Sequence, residues 1–553
     1  MRTLPAPRAE LRYRHLTAVE TRLNLLEAAL AKLFPAGDIV ALAQDLLLGN
    51  DPINDVVMAD TFTSGSPINS ALAGNDILQN HEPVTDIALL TAQEQMQFVE
   101  NYFTQYHVLA PLLNEESFRR DLRSPSLPLP RQLLVQMVLA IGAWLTPQVR
   151  DGLDTELFLQ AKDQFQRIPI ANHADISVLQ ALLLLGDFAQ KQGSAEESEY
   201  YIGTALRIAM TLNLHTEPPL SLGRVEQEIR RRVWWSAYCA ESCSAKMYGR
   251  PLLLPEDNLI TVNAVSNIHD RDLTASLDGQ LPAQTDSPTI YTGLIRQSSY
   301  HRMANQIYRR LLSTPAITHQ DVYEAEQIIN AWHHDSSLSE KPRDLSSQPE
   351  WYFTARHRQI LCDQSLRLLI HRPMLLRWLR GSPATIGPGH PDNAEAARCR
   401  AQGLKIARTT TAMIVNSLST NHYSRLNLAF TLYAVFHALI VLLIHVKKDP
   451  CSSVSISCMQ DLGRAQAALD HLPIEGDALS GHFVIILRHL FRVASHVNTG
   501  GAQSRPVEPD RSMNSYMGQG KTNDIFGAQE LALLGAGDLD LSCGLDFSEW
   551  VNM

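Results

Sequence analysis

The residues in this sequence best suited to metal chemistry are its cysteines, because a thiolate is a strong zinc ligand. There are seven of them, Cys239, Cys243, Cys362, Cys399, Cys451, Cys458 and Cys543. A cluster of two zinc ions needs six thiolates in two closely spaced groups, and this sparse, irregular set does not form them. Cys239 and Cys243 lie one helical turn apart in an apolar segment, which is typical of buried free thiols. We therefore predict no metal or cofactor within this chain, no disulfide framework and a reducing compartment.

Two fragments of catalytic motifs occur, and each lacks the residues that would complete its site. Gly520-Lys521-Thr522 resembles the end of a phosphate-binding loop, but Ser515 stands where that loop needs its first glycine. His215 and Glu217 match the first half of a zinc deaminase motif whose second half is missing. The sequence also lacks a G-x-S-x-G nucleophile elbow and an Asp-Asp pair that could hold magnesium. We expect no catalytic residues, and the chain is predicted not to be an enzyme.

The composition is that of a globular protein without a basic surface. Of the 553 residues 45% are hydrophobic and 19% are charged, and the formal net charge is -11. A nucleic-acid-binding domain usually carries a positive footprint, because cationic side chains displace the counterions of phosphate. The apolar segment Leu426–Val446 has the length of a membrane span, but its polar residues favour a buried core helix. We expect no membrane association.

Apolar residues at helical spacing predict one large helical body over residues 91–498. Thr91 and Glu94 form a capping box, in which each side chain satisfies a free backbone N–H at a helix start. An apolar stripe follows, made of Met96, Val99, Phe103 and Tyr106. The segments Leu179–Phe188 and Tyr201–Leu212 repeat the pattern, and no set of alternating strands with turn residues occurs. The predicted fold class is all-α.

The N-terminal residues 1–34 are predicted to be a basic linker and a short coiled coil. Two sets of apolar residues recur every seven positions, as the a and d residues of a heptad repeat do: Leu16, Leu23 and Leu30, and Val19, Leu26 and Leu33. Arg22 and Glu27 fall at g and e positions, which suits a parallel dimer. An ordinary amphipathic helix packed on a core is the alternative interpretation. These six residues are our candidates for dimerisation.

Two segments flank the helical body and one ends the chain. Residues 35–90 are predicted to be a variable connection, and residues 499–524 a disordered linker rich in Gly, Ser, Pro and Asn. Residues 525–553 mix acidic with large apolar residues, a composition typical of activation segments. Leu545, Phe547 and Trp550 are its candidate anchors for a coactivator. The alternative is a C-terminal helix that packs on the body.

The segment Glu228–Val262 closely resembles the signature of the middle homology region in fungal-specific zinc-cluster transcription factors. In that family, a helix with basic residues and a tryptophan pair is closed by Gly-Arg-Pro. The matching positions are Arg230, Arg231, Arg232, Trp234, Trp235, Gly249, Arg250 and Pro251. We interpret the arginines as a solvated face or internal ion pairs and the tryptophans as packing residues. The signature marks a family and not an active site.

Further segments support the resemblance over about residues 95–445. Tyr102–Leu122 resembles the start of the family's region, Ser177–Glu217 its central helices and Leu368–Met374 a later helix. The N-terminal segment His15–Pro35 resembles the linker and coiled coil of the galactose-regulator type. One departure lies inside the signature, where many relatives carry Asp-Arg and this chain has Glu241-Ser242.

The resemblance implies a nuclear transcription regulator that acts as a homodimer or family heterodimer, recruits coactivators and responds to a possible small-molecule effector. It also implies a zinc cluster for DNA binding, which this chain lacks, since no cysteine precedes Cys239. Three explanations stay open: a sequence truncated at its start, a regulator that reaches DNA through a partner's zinc cluster, or an inhibitor. The alternative from another class is a helical protein that binds a small molecule without DNA.

Overall fold

The computed structural model describes residues 90–472, apart from 147–149, 151, 171–174, 276–281, 315, 336–347, 381–390 and 420–424, together with residues 484, 487–488 and 491–492. The described residues form helices and connecting loops and contain no strand. The predicted all-α fold class is thereby confirmed. The predicted coiled coil, the disordered linker and the activation segment lie outside the described residues.

Seven helices form the first part of the described chain. They are α1 (Ala92–Asn101), α2 (Glu115–Leu122), α3 (Leu129–Trp144), α4 (Leu153–Gln166), α5 (Ile176–Lys191), α6 (Ala195–Thr211) and α7 (Arg224–Tyr248). Helix α3 packs against α1, α4 and α5, and α6 lies between α5 and α7. Their buried side chains make one hydrophobic cluster, in which Trp234 of α7 is fully buried.

Seven more helices follow. They are α8 (Asp270–Ala275), α9 (Thr292–Ser313), α10 (His319–Asp335), α11 (Glu350–Arg380), α12 (Pro391–Ser419), α13 (Arg425–Lys448) and α14 (Ser453–Leu469). Helices α11, α12 and α14 surround α13, whose side chains dominate a second cluster. Helix α9 packs against both α7 and α11, so it joins the two groups of helices.

The first helix begins as its sequence predicts, but its buried face differs in part from the predicted apolar stripe. The Thr91 hydroxyl accepts a hydrogen bond from the Glu94 N–H at 3.2 Å, and the Glu94 carboxylate accepts one from the Thr91 N–H at 2.7 Å. The predicted capping box is therefore present. Met96 is wrongly placed in the apolar stripe, since it is 71% exposed. A π-helical turn over Tyr102–Tyr106 changes the register, so Tyr102 joins Phe103 and Tyr106 in the core.

The long apolar segment near residue 426 is a core helix. Among the described residues one helix, Leu426–Lys448, is long and apolar enough to cross a membrane. Its most apolar window is 88% buried inside the protein, however. Burial on all sides by neighbouring helices explains a helix that is apolar around its whole circumference.

Candidate functional site on helix α7

Three signature residues end helix α7 in one fixed conformation. Gly249 has φ 66°, a left-handed conformation that a glycine adopts without steric cost and that commonly ends helices. The Arg250 N–H then donates to the Ala245 carbonyl at 2.8 Å, and Pro251 cannot continue the helix. The Tyr308 hydroxyl of α9 lies 3.0 Å from the carbonyl oxygen of Ala245 and 2.9 Å from that of Arg250. The Gly-Arg-Pro of the signature thus terminates α7 against α9.

The signature arginines are held by carboxylates of the same protein. Arg230 pairs with Glu226 one turn earlier, at 3.0 Å. The side chain of Glu228 is fully buried, and Arg231 and Arg232 donate to it at 3.0 Å and 3.3 Å. A buried carboxylate is stable when it is paired and hydrogen-bonded in this way. This arrangement leaves Arg231 and Arg232 unavailable to DNA phosphates.

The same two arginines tie α7 to the segments before and after it. Arg231 also pairs with Glu217, which precedes α7. Arg232 pairs with Asp270 at 2.6 Å and lies over the Tyr291 ring, 3.4 Å from its centroid. Glu228 further accepts hydrogen bonds from Ser266, at 2.9 Å from its N–H and 3.1 Å from its hydroxyl. The cluster therefore fixes the loops on either side of the helix.

The electrostatic setting of Glu217 is consistent with this ion-pair role. Partial burial disfavours its charged form, but hydrogen bonds from Arg231 and from the Asn263 N–H outweigh that effect and lower the pKa of Glu217. The carboxylate of Glu217 therefore stays ionised near neutral pH. Together with the buried Glu228, it shows that the basic run of the signature is balanced locally by acids.

The two signature tryptophans are packing residues. Trp234 is 0% and Trp235 is 2% exposed. The Trp235 indole N–H donates to the Asn263 carbonyl at 2.8 Å, and its ring meets Tyr238 edge to face at 5.4 Å between centroids. The Trp234 ring lies 5.9 Å from that of His215. Neither indole faces a groove where a base or ligand could stack.

The residues that replace the Asp-Arg of many relatives have partners of their own. A carboxylate oxygen of Glu241 accepts a hydrogen bond from the Leu253 N–H at 2.8 Å, and burial raises the pKa of Glu241. The Ser242 hydroxyl donates to the Asn305 side-chain oxygen at 2.6 Å and lies 2.9 Å from the His301 ring nitrogen Nδ1. Asn305 and His301 belong to α9. The departure from the family pattern thus becomes a polar link between α7 and α9.

This link borders a cavity of ≈ 60 Å³ where α7, α9, α11 and α13 meet. The chemically distinctive residues along its wall are Cys243, Lys246, His301, Cys362 and Tyr433. Burial lowers the pKa of Lys246 to about 8 and raises that of Cys362 to about 12. Sequence reasoning missed this site because its residues come from four helices far apart in the chain. The one local signal is a lysine near the end of a largely buried helix, which reads as an ordinary C-terminal charge.

No metal site is found in the part of the chain that the structure describes. Cys239 and Cys243 are free thiols there, and burial raises the pKa of each. No three His, Cys, Asp or Glu side chains among the described residues lie close enough together to hold an ion. The described residues therefore do not supply the zinc cluster that the resemblance implies. The six candidate dimerisation residues (Leu16, Val19, Leu23, Leu26, Leu30, Leu33) and the candidate anchors Leu545, Phe547 and Trp550 lie outside the described part.

Comparison with known families places the signature helix in a larger conserved unit. Residues 99–325 match the sequence profile described as "Fungal specific transcription factor domain". The predicted resemblance to fungal transcription regulators is thus confirmed over this region, and α7 lies in the middle of it.

Three curated fungal proteins are similar in sequence to parts of this chain. The chain is 26% identical to the lactose regulatory protein LAC9 of Kluyveromyces lactis over 47% of this chain and 28% of that protein. It is 26% identical to the protein STB5 of Saccharomyces cerevisiae over 42% of this chain and 32% of that protein. It is 32% identical to the acetamidase regulatory protein of Emericella nidulans over 33% of this chain and 24% of that protein. The matched region spans between about a quarter and a third of these relatives.

Proposed function

We propose that this protein regulates transcription by RNA polymerase II of a metabolic or biosynthetic gene set in the fungal nucleus. The single observation that carries the proposal is the fungal specific transcription factor domain at residues 99–325. Two relatives are named as regulators, one of lactose and one of acetamidase. The geometry of α7 supports a regulatory role, because a helix that fixes two loops and contacts α9 can transmit a change of packing.

DNA contact is the part of the function for which the described arginines of the signature offer no surface. The arginines of the signature are paired with acids, and the chain carries a net charge of -11. We propose that DNA is reached through a zinc cluster on a dimer partner or on sequence outside these 553 residues. A co-regulator or inhibitor that acts through dimerisation is the alternative form of the same proposal. Coactivators are the proposed partners of the C-terminal residues.

A tethering experiment tests the proposal directly. The full chain is fused to an unrelated DNA-binding domain, and expression is measured from a reporter with the matching site. We expect the fusion to change reporter output relative to the DNA-binding domain alone. A reporter with high basal expression, assayed in parallel, detects repression. Unchanged output from both reporters, with the fusion present in the nucleus at normal abundance, would contradict a role in transcription.

A further inference from the structure

The cavity beside Lys246 has the features of a small binding site rather than a packing defect. Its volume of ≈ 60 Å³ exceeds the roughly 30 Å³ that one water occupies in the liquid. It lies between α7 of the fungal specific transcription factor domain and helices α11 and α13 that follow the domain. Most of its wall is apolar, and a few polar groups are among its lining residues. Such a wall with few polar groups is typical of small-molecule sites.

Lys246 provides the cavity with a cation that forms no direct ion pair among the described residues, although the charge of Glu241 acts on it from a greater distance. Its ammonium donates to the Asn305 side-chain oxygen at 2.6 Å and to Ser242. Among the described residues, no carboxylate lies within ion-pair distance of Lys246. An ammonium group has three hydrogen-bond donors, and these two acceptors use two of them. One donor remains for a molecule in the cavity.

A second cation lies behind the cavity wall. Arg358 of α11 is placed over the ring of Phe430, 4.1 Å from its centroid, and Phe430 lines the cavity. The Nε atom of Arg358 is buried and has no hydrogen-bond partner among the described residues. Its charge also acts on the Cys243 and Cys362 thiols. Lys246 lies on the wall, Arg358 lies behind it, and no acid is among the lining residues. These charges favour an anion in the cavity.

The other wall groups are neutral and limit what the site can do. Burial raises the pKa of both Cys243 and Cys362, so neither is a thiolate near neutral pH or a ready trap for electrophiles. Burial also lowers the pKa of His301 far below its ordinary value, so this ring is uncharged. These groups behave as soft, weakly polar surface. The site therefore suits non-covalent binding of an anion with an apolar body.

We propose that this cavity binds a short-chain monocarboxylic acid, whose carboxylate pairs with the Lys246 ammonium and whose apolar body lies against Cys243, Cys362 and Phe430. The volume sets the size of the ligand. Benzene fills an apolar cavity of about 150 Å³, so a cavity of ≈ 60 Å³ takes a smaller molecule. Propionate is a suitable probe because it combines one carboxylate with a shorter body than benzene. Any effect of the ligand on gene expression rests on the proposed function, whereas binding does not.

Binding is measured on the purified full chain by isothermal titration calorimetry with sodium propionate. Propionamide, which has the same shape without the charge, is the matched ligand control. We expect propionate to bind at least tenfold more tightly than propionamide. Equal affinities of the two, or no heat from either at millimolar concentrations, would overturn the proposal. Neither result depends on transcription, so a failure here leaves the proposed function intact.

Two variants test the contacts separately. Lys246→Met removes the cation at nearly constant volume, and Ser365→Phe fills the cavity from α11 while the cation stays. We expect each to weaken propionate binding at least tenfold, and the exposed substitution Lys405→Met on α12 to leave it unchanged. Thermal unfolding of each variant confirms that it is folded. Normal propionate affinity in folded Lys246→Met or in folded Ser365→Phe would overturn the proposal.

The pH dependence gives a further readout, because Lys246 is the group at this site that titrates near neutrality. The charged and titratable groups around it are Cys239, Glu241 and Cys243 on α7, His301 and Tyr308 on α9, Arg358 and Cys362 on α11, and Tyr433 on α13. The pKa of Lys246 is about 8, and its charged form binds the carboxylate. We expect propionate affinity to be retained at pH 7 and to fall as pH rises above 8. A constant affinity between pH 7 and pH 10 would contradict pairing with Lys246.

Discussion

At the scale of single residues, Glu228 is the centre of the signature. Its side chain is fully buried and accepts hydrogen bonds from Arg231, from Arg232 and from Ser266. Arg231 also pairs with Glu217 before α7, Arg232 also pairs with Asp270 after it, and Ser266 belongs to the loop that follows α7. A buried acid with several donors is stable only while all of them are in place. The arginines of the signature are thus the basic partners in an ion-pair cluster. Their acidic partners are spread along the chain and do not form a recognisable motif.

Replacing Glu228 with Gln should therefore destabilise the protein strongly. The change removes the charge that balances two buried guanidinium groups, and breaking a buried pair in this way costs about 3 kcal/mol or more. We expect the midpoint of thermal unfolding of the full chain to fall by several degrees. Glu226→Gln is the matched control on the same helix, since its pair with Arg230 is 40% exposed on the acid side and exposed pairs contribute about 0–1 kcal/mol. Equal shifts for the two variants would show that Glu228 has no special role.

Lys246, unlike Glu228, is a buried charged group whose hydrogen-bond partners are neutral. Burial lowers its pKa from the model-peptide value of 10.5 to about 8, so between these values the unfolded chain binds a proton that the folded chain does not. The folded state is therefore less stable below pH 8 than it is above 10.5, as far as this group is concerned.

At the scale of elements, helix periodicity explains what the sequence predicts well. The Thr91–Glu94 capping box depends on neighbours within one turn, and the burial of Tyr201, Ala205, Ile208 and Ala209 on one face follows from a regular spacing. Met96 is an exception, because Phe98 and Val99 form the buried apolar face of α1 and Met96 lies outside that face. Long-range contacts are harder still. The pairing of Arg232 with Asp270 and the meeting of Lys246 with Cys362 depend on the packing of helices, which no local pattern encodes.

Close helix contacts are likewise visible only in the assembled structure. A Cβ atom added at Gly142 of α3 would lie 2.0 Å from the carbonyl oxygen of Phe98 in α1. The glycine in the sequence of α3 suggests a weak point in a helix. In the structure it is the position that lets two helices approach backbone to backbone.

The predicted coiled coil makes a testable claim about a single element. Leu23→Lys combined with Leu26→Lys places two charges in the apolar seam and should turn a dimer into a monomer, because each fully buried leucine contributes about 1.5–3 kcal/mol. Sedimentation of the full chain measures this change in mass. The control, Asn24→Lys with Ala28→Lys, adds the same charges at the b and f positions outside the seam. Equal masses for the seam variant and the wild-type chain would mean that residues 16–34 are not the dimer interface.

At the scale of the whole molecule, the packed helices extend beyond the region that the family profile covers. The match ends at residue 325, inside helix α10 (His319–Asp335). Helix α9 packs on both α7 and α11, and α10 contacts α11 and α12. The cavity lies on this junction. A ligand there would bridge the domain and the helices that follow it, so its binding energy would favour one packing of the junction over others.

A transcription regulator needs a segment that contacts coactivators, and residues 525–553 are our candidate for that segment. Leu545, Phe547 and Trp550 provide apolar anchors, while Asp546 and Glu549 keep the segment hydrated when it is free. If residues 545–550 form a helix on a coactivator, these acids fall in its first turns, where the helix dipole favours negative charge. Ordering the segment on binding costs conformational entropy, so we expect modest affinity.

The activation segment is tested in the same reporter system as the full chain. Residues 525–553 are fused to an unrelated DNA-binding domain, and in parallel the full-length fusion is compared with its Phe547→Ala, Trp550→Ala variant. We expect the short fusion to activate the reporter and the double substitution to remove most of the activity of both fusions, because the remaining acids cannot anchor a partner without apolar contacts. The matched control Asn552→Ala lies beyond the anchors and should leave activity unchanged. An inactive short fusion, or full activity in the double variant, would show that the regulatory output comes from the helical body, where the junction of α7, α9 and α11 would be the next surface to examine.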